Sequence, residues 1–117
     1  MPHLILEASI NLHECKVHLE QMLLDCHHVL VEKLPTQLTS CTSRVILHDI
    51  FVIGDNSPNA AFIHLTIKLL KGRTPELLAE TAQAIKDKIE EFSCRSLEHL
   101  KLRVSVEIVE LSDAFVK

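Results

Sequence analysis

The chain has 117 residues, of which 47% are hydrophobic and 24% are charged, and its formal net charge is −4 at pH 7. This length and composition predict a single globular domain, residues 1–117, with a buried core. Aromatic residues make up 3% of the chain, without tryptophan or tyrosine, so the core is expected to be aliphatic. Single-stranded nucleic acid is usually bound by aromatic side chains that stack on its bases, and duplexes are bound by a basic surface. The sequence has neither feature, which argues against a nucleic-acid partner.

The sequence also carries no signal for export or membrane insertion. No basic segment followed by an apolar run begins the chain, and no apolar run approaches the roughly 18 residues of a membrane span. The four cysteines form no C-x-x-C pair; they are Cys15, Cys26, Cys41 and Cys94. These features predict a cytoplasmic protein with free, mostly buried thiols.

The first predicted strand, 2–8, begins with a proline directly after Met1. If Met1 is removed, the nitrogen of Pro2 becomes a secondary amine. Burial or a nearby cation would lower its pKa below the ordinary α-amine value of about 7.7–8.0, and a general base works best with a pKa near the operating pH. Pro2 is therefore a candidate catalytic base. The alternative, which position alone favours, is that Pro2 merely starts an edge strand, where a missing N–H costs nothing.

Apolar residues at helical spacing predict a helix over 11–34, with Asn11 as its N-cap. Several histidines on this helix raise the question of a metal site. His13 and His18 are five residues apart, and His27 and His28 are adjacent, whereas zinc ligands on one helix typically lie four apart. The pattern favours a solvated helix face, and no metal site is predicted.

The second strand is predicted at 44–53, after a loop at 35–43, because valine, isoleucine and leucine are frequent there. The next segment, 54–59, reads Gly-Asp-Asn-Ser-Pro-Asn and is the strongest turn signal in the chain. It separates two halves, 2–53 and 61–111, which we interpret as repeats of one β-α-β unit.

The second half repeats the order of the first. A strand at 62–70 alternates apolar and polar side chains, and the final strand, at about 100–110, does the same. Between them, Gly72-Arg73 precedes Thr74 as an N-cap and Pro75 at the first helical position. The helix that follows presents its apolar residues on one face.

This order of elements predicts an α+β fold of two tandem β-α-β units. Two right-handed crossovers would form a four-stranded sheet with both helices on one face. The other face would stay uncovered, and it includes apolar positions such as Ile5 and Val109. Because large exposed apolar patches mark association sites, we expect the protein to oligomerise through this face.

Five stretches of the sequence are similar to one protein family. A strand followed by Gly-Arg, a hydroxyl residue and an amphipathic helix resembles the tautomerase superfamily, and nearly the whole chain resembles the 5-carboxymethyl-2-hydroxymuconate isomerase family. The run Ala-Phe-x-His-x-Thr-x-Lys is far more specific than a proline near the terminus, so the resemblance reverses the preference stated for Pro2. The stretches are Met1-Pro2-His3-x-Ile5-x-Glu7, Ser43-Arg44-Val45, 61–68, Gly72-Arg73-Thr74 and 107–111.

The resemblance implies a tautomerase-like homotrimer and an isomerase that needs no metal or organic cofactor. The implied reaction is a 1,3-proton shift on an unsaturated 2-hydroxy or 2-oxo dicarboxylate from the meta-cleavage of aromatic compounds. The partner would be this small molecule, without nucleic acid or membrane, and Pro2 would take and return the proton. The alternative is a non-catalytic trimeric binding protein that keeps the fold.

A carboxylate substrate needs cationic anchors, and the planar guanidinium of arginine binds carboxylates through two hydrogen bonds. Arg73 lies just before a helix N-terminus, where an anion is also favoured by the backbone N–H groups. For this residue the resemblance favours substrate binding over the alternative of a solvated loop arginine. Arg44 matches a family arginine, and substrate contact and pairing with an acidic neighbour are equally favoured. Arg103 is expected on the surface, and His64 is expected to be a hydrogen-bonded structural residue. Thr42 stands where the family pattern has a further arginine.

Overall fold

The computed structural model describes residues 1–117 and contains one four-stranded mixed sheet. None of its helices combines the length and apolarity needed to cross a membrane. The elements in chain order are β1 (His3–Ser9), α1 (Lys16–Lys33), β2 (Thr42–His48), β3 (Ala60–Leu69), α2 (Pro75–Phe92), α3 (Cys94–His99) and β4 (Lys101–Glu110), with one 3-10 turn, Leu38–Ser40, before β2.

The strands lie in the order β2-β1-β3-β4. Strands β1 and β2 are parallel, as are β3 and β4, and the two pairs join through the antiparallel pair β1–β3. Strands β1 and β2 therefore begin at the end of the sheet where β3 and β4 finish. We call this end, which carries Pro2, the Pro2 end. The predicted α+β fold with paired β-α-β units is confirmed.

Helices α1 and α2 cover the same face of the sheet, and the core between them is aliphatic, as predicted. Every second residue of β3 is buried, from Ala61 to Leu69. The only ring packed against the core cluster is that of Phe92, at its margin. The 15 buried members of the cluster are Leu4, Leu6, Ala8, Leu19, Met22, Leu23, Cys26, Leu30, Leu34, Ile63, Leu65, Ile67, Leu69, Ile85 and Ile89.

Helix α1 begins later than predicted, at Lys16 instead of residue 11, and Asn11 is not its N-cap. The side-chain amide of Asn11 donates to the carbonyl of Ala60 at 3.0 Å, so this residue joins the two halves of the chain instead. The N-cap is Cys15, whose side chain makes no capping hydrogen bond. Long-range hydrogen bonds of the preceding loop therefore override the local helix signal.

Strand β2 covers Thr42–His48 and not the predicted 44–53. Its partner β1 ends at Ser9, and the last interstrand bond runs from the Ile10 N–H to the His48 carbonyl at 2.9 Å. Beyond it the apolar segment 49–53 has no strand to pair with, and Ile50 is 90% exposed. The predicted turn at 54–59 is confirmed, with positive φ at Gly54, Asn56 and Asn59; the short helix α3 was not predicted.

The uncovered face of the sheet, which we call the open face, is more polar than expected. Ile5 and Val109 do lie on it, but most side chains around them are polar. Glu7 accepts a hydrogen bond from the His48 ring at 2.9 Å. His64 is hydrogen bonded, as expected, with Nδ1 2.7 Å from the Ser105 hydroxyl. The patch argument for association through this face is therefore weaker than the sequence suggested.

The expectation of mostly buried thiols is wrong. All four cysteines are free, but only Cys26 is buried, while Cys41 is half-buried. Cys15 and Cys94 are exposed because each lies at the start of a helix, outside the apolar stripe that faces the sheet.

The N-cap of α2 gives a direct test of the predicted helix start. Thr74 Oγ1 accepts the N–H of Leu77 at 3.2 Å, and Pro75 occupies the first turn. Replacing Thr74 by alanine should lower the free energy of unfolding by about 1 kcal/mol. The matched control is Thr39→Ala, an exposed threonine without a side-chain hydrogen bond, which should cost less than about 0.5 kcal/mol. Urea denaturation compares them, and equal losses would contradict the capping role.

The buried thiol of Cys26 predicts a pH-dependent stability. Burial, with a smaller effect of Asp25, raises its pKa to about 12, whereas an unfolded thiol titrates at about 8.5. Between these values the unfolded chain has lost a proton that the folded chain keeps, so stability is full below the unfolded pKa and falls as pH rises through this window. The free energy of unfolding, measured by denaturation at about pH 8 and about pH 10, should decrease less between these pH values for Cys26→Ala than for the parent chain. Identical decreases would refute the prediction.

Candidate functional site

Pro2 occupies a buried position at the start of β1. Its side chain is fully buried, and its carbonyl accepts the Thr42 N–H at 3.0 Å, which attaches it to the first residue of β2. Met1 is 37% exposed. While Met1 is attached, the Pro2 nitrogen is an amide and cannot accept a proton; its removal would leave an amine at the margin of the core.

The electrostatic environment of the Pro2 end disfavours a charged amine. Burial, followed by the positive charges of Lys117 and Arg73, lowers the pKa of the Met1 amine, while Cys41 acts weakly in the opposite direction. Desolvation and nearby cations both destabilise an ammonium ion. Of the predicted site residues, Pro2 and Arg73 are thus brought to the same end of the sheet.

Arg73 lies in the loop between β3 and α2 and is half-buried. The preceding Gly72 has a φ of +125°, and a Cβ there would meet nothing within 4 Å, so glycine is required by the backbone and not by space. The Arg73 Nη1 donates to the Leu70 carbonyl at 2.9 Å. This bond fixes one Nη of the guanidinium and leaves its other N–H groups free for an anion.

Arg44 reaches the Pro2 end from the open face. It lies opposite Ile5 in the β1–β2 register and is exposed, and its Nη1 is 3.5 Å from the Nδ1 of His3. It forms no ion pair, so the predicted alternative of an acidic partner is not observed. Arg44 therefore contacts His3, the residue after Pro2. It does so from the open face, whereas the Pro2 side chain is buried on the other side of the sheet.

Sequence reasoning missed the contribution of the last residues of the chain. The Leu111 N–H donates to the Leu69 carbonyl at 2.6 Å, and Lys71 pairs with Asp113 at 3.3 Å. The Phe115 ring then meets the His3 ring edge-on, with centroids 6.0 Å apart. Phe115 and Lys117 therefore belong to the Pro2 end, although nothing in the sequence connects them with residues 2 and 3.

The largest cleft of the structure lies elsewhere, between α1 and β2, with a volume of about 640 Å³. It includes Arg44 but neither Pro2 nor Arg73. Its wall also carries Lys16, Glu14 and Glu20, so cations and carboxylates balance and no net positive charge attracts a dianion. His27 lies there with Nε2 3.0 Å from the Ser43 hydroxyl, and burial, aided by His28, lowers the pKa of its ring.

The remaining candidates lie apart from the Pro2 end. Arg103 is exposed, with its side chain against Gly54 in the turn at 54–59. His13 stacks on His99 with centroids 5.2 Å apart, and Nε2 of His18 is 2.7 Å from the Phe92 carbonyl. No three histidine, cysteine or acidic side chains converge on one point.

Comparison with known proteins found one matching family model and several similar solved structures. The family model described as 5-carboxymethyl-2-hydroxymuconate isomerase matches residues 2–117. A crystal structure of a 5-carboxymethyl-2-hydroxymuconate isomerase from Deinococcus radiodurans R1 has a TM-score of 0.86 at 27% identity, covering 99% of this chain and 87% of that chain. A comparison with curated proteins found no significant match.

Two more distant structures show the fold alone. A 5-carboxymethyl-2-hydroxymuconate delta-isomerase has a TM-score of 0.82 at 14% identity and covers 100% of this chain and 87% of its own. A fused 4-OT, described as a wild-type symmetric trimer, has a TM-score of 0.73 at 16% identity, with coverages of 97% and 89%. Both structures share the fold of this chain over nearly its whole length.

Proposed function

Because this chain belongs to the 5-carboxymethyl-2-hydroxymuconate isomerase family, we propose that it catalyses a 1,3-proton shift on an unsaturated 2-hydroxy or 2-oxo dicarboxylate. The observation that supports this reaction is that Pro2 and Arg73 lie at the same end of the sheet, where Pro2 could take a proton from a substrate whose carboxylate is bound by Arg73. Membership in an isomerase family supports the reaction class, and the substrate is our inference.

In the proposed reaction, Pro2 acts as the base once Met1 has been removed. The neutral amine accepts the proton of the dienol hydroxyl or of an adjacent carbon, and it returns a proton to a more distant carbon while the double bond moves. No atom is gained or lost overall. Burial and the charges of Lys117 and Arg73 lower the pKa of the Met1 amine, and the same causes would favour the neutral form of a Pro2 amine.

Arg73 is proposed to bind one substrate carboxylate. Its free guanidinium N–H groups can form the paired hydrogen bonds that carboxylates accept. In the first turn of α2 the Glu76 N–H is a further donor, because Pro75 has no N–H and the N–H groups of Leu77 and Leu78 are bonded to Thr74. Arg44, held near His3, is the proposed second anchor. Since Thr42 takes the place of a family arginine, selection of a dicarboxylate would depend on these two residues.

We also propose that the protein is a homotrimer. Support comes from the trimeric description of the fused 4-OT structure and from the exposed apolar residues after β2, Ile50 and Val52, which are 90% and 74% exposed. Light scattering should give three times the 13.2 kDa of one chain. A monomeric mass at micromolar concentration would contradict the proposal.

The deciding experiment is turnover of 2-hydroxymuconate-type dienols by protein from which Met1 has been removed, as verified by intact mass. We expect ketonisation with a dicarboxylate dienol and slower turnover of its monocarboxylate analogue. Binding without turnover by the Met1-free protein would favour the alternative, a non-catalytic binding protein with this fold.

A further inference from the structure

Two cysteines line one small cleft at the end of the sheet opposite Pro2. The cleft has a volume of about 250 Å³, and its wall includes Cys15 and Cys94 together with His18 and Arg95. Both cysteines are exposed and free. Neither residue takes part in the proposed isomerisation, because β1 separates this cleft from the Pro2 end.

Hydrogen bonds on both sides of the two cysteines hold their segments against each other. The Ser96 N–H donates to the carboxylate of Glu14 at 3.1 Å, and the His13 N–H donates to the Ser96 hydroxyl at 2.9 Å. On the other side, Nε2 of His18 lies 2.7 Å from the Phe92 carbonyl. Residues 14 and 18 are therefore bound to residues 96 and 92, and these contacts bring together the two segments whose cysteines, Cys15 and Cys94, line the cleft.

The two thiols are also free to move. Cys15 is the N-cap of α1 but makes no capping bond, and neither sulfur has a hydrogen-bond partner. The other two cysteines differ. Cys26 is buried in the core, and the Cys41 thiol donates to the Gln37 carbonyl at 3.7 Å. Only Cys15 and Cys94 combine exposure, a thiol without a hydrogen-bond partner and a second cysteine on the same cleft.

We propose that Cys15 and Cys94 form a redox-active dithiol site that a hydroperoxide converts into an intramolecular disulfide. One thiolate attacks the peroxide oxygen, the O–O bond breaks, and a sulfenic acid and water (or an alcohol) are formed. The second thiolate attacks the sulfenic sulfur, the S–S bond forms, and the sulfenic oxygen leaves as water. The two thiols lose two electrons and two protons, and the peroxide is reduced.

The disulfide would link the loop before α1 to the start of α3. It would close a loop of about 80 residues, and a crosslink of that length restricts the unfolded chain strongly. We therefore expect oxidation to raise the melting temperature and to leave turnover at the Pro2 end unchanged.

The test treats the folded full-length chain with a small excess of hydrogen peroxide at neutral pH. The expected product has two free thiols instead of four, a monomeric mass lower by two hydrogen atoms, and a crosslinked peptide containing residues 15 and 94; dithiothreitol should reverse all three changes. Cys15→Ser and Cys94→Ser should each abolish the crosslink, and the matched control Cys41→Ser should retain it. Both sites are exposed, so the serine variants should fold, which circular dichroism checks.

Three outcomes would overturn the proposal. They are four free thiols after treatment, oxygen addition at single cysteines without a crosslink, and a disulfide between chains or to Cys41. If the serine variants should unfold, the peptide map of the parent chain alone decides between these results.

Discussion

Turnover should require a free Pro2 amine, so a chain extended by residues before Met1 should lose the contribution of the base, roughly 10²–10⁴-fold in kcat. In the extended chain the Pro2 nitrogen is an amide without a basic lone pair. The buried Pro2 side chain and its bond to Thr42 are unaffected by the extension, so the fold should be preserved. Intact mass and initial rates on a dicarboxylate dienol measure the effect.

Pro2→Ala in the Met1-free chain is the matched variant. It keeps an amine at the same position but loses the ring that fixes the direction of the amine. Its activity should therefore lie between that of the Met1-free parent chain and that of the extended chain. Full activity of the extended chain would exclude Pro2 as the base, whereas full activity of the alanine variant would show that the proline ring is not required.

The pH profile gives a second readout of the same prediction. Burial, then Lys117 and Arg73, lower the pKa of the Met1 amine, and we expect the same causes to lower the pKa of the Pro2 amine after Met1 is removed. Activity that depends on the neutral amine should therefore rise with pH through a midpoint below the ordinary value of about 7.7–8.0. Removing a cation stabilises the ammonium form, so Lys117→Gln should move the midpoint to higher pH. An unchanged midpoint would show that Lys117 does not act on the base.

Arg73→Gln should lower kcat/KM for a dicarboxylate substrate by roughly 10- to 150-fold, mainly through KM. The estimate follows from the loss of a charge-assisted hydrogen bond worth about 1.5–3 kcal/mol, at tenfold per 1.4 kcal/mol. Glutamine keeps a donor but neither the charge nor the planar fork. Arg73→Lys, which keeps the charge alone, should have an intermediate effect.

Arg103→Gln is the matched control for Arg73, because Arg103 is an exposed arginine on the last strand with its side chain against the turn at 54–59. It should leave KM unchanged. Since Arg73 also donates to the Leu70 carbonyl, the melting temperature of each variant should be measured beside its kinetics. An Arg73 variant with normal KM and normal stability would remove Arg73 from the site.

Much of the secondary structure could be predicted because its causes are local. The alternation along 62–70 matches β3, since every second side chain enters one core. Thr74 and Pro75 start α2 where they were expected, because a cap and a first-turn proline act within one turn of helix. The start of α1 and the end of β2 were predicted wrongly because they depend on hydrogen-bond partners that are distant in the sequence. Asn11 binds Ala60 instead of capping α1, and β2 ends where β1 stops pairing with it.

The residues of the candidate site also differ in whether local sequence could identify them. Pro2, Arg73 and Arg44 were identified from sequence because each stands in a short recognisable stretch. His3, Phe115 and Lys117 were not, because their proximity depends on β1 running against β3 while β4 runs beside β3. Only that arrangement brings the last residues of the chain to its beginning.

The sequence by itself therefore determined the type and order of the four strands and the two long helices, the aliphatic character of the core and the family of the protein. Periodicity, turn residues and short motifs are properties of neighbouring residues. The tertiary structure decided which cations surround the N-terminal amine, how polar the open face is, and that Cys15 and Cys94 line the same cleft. Those features arise from strand direction, register and long-range hydrogen bonds, which link residues that are far apart in the chain.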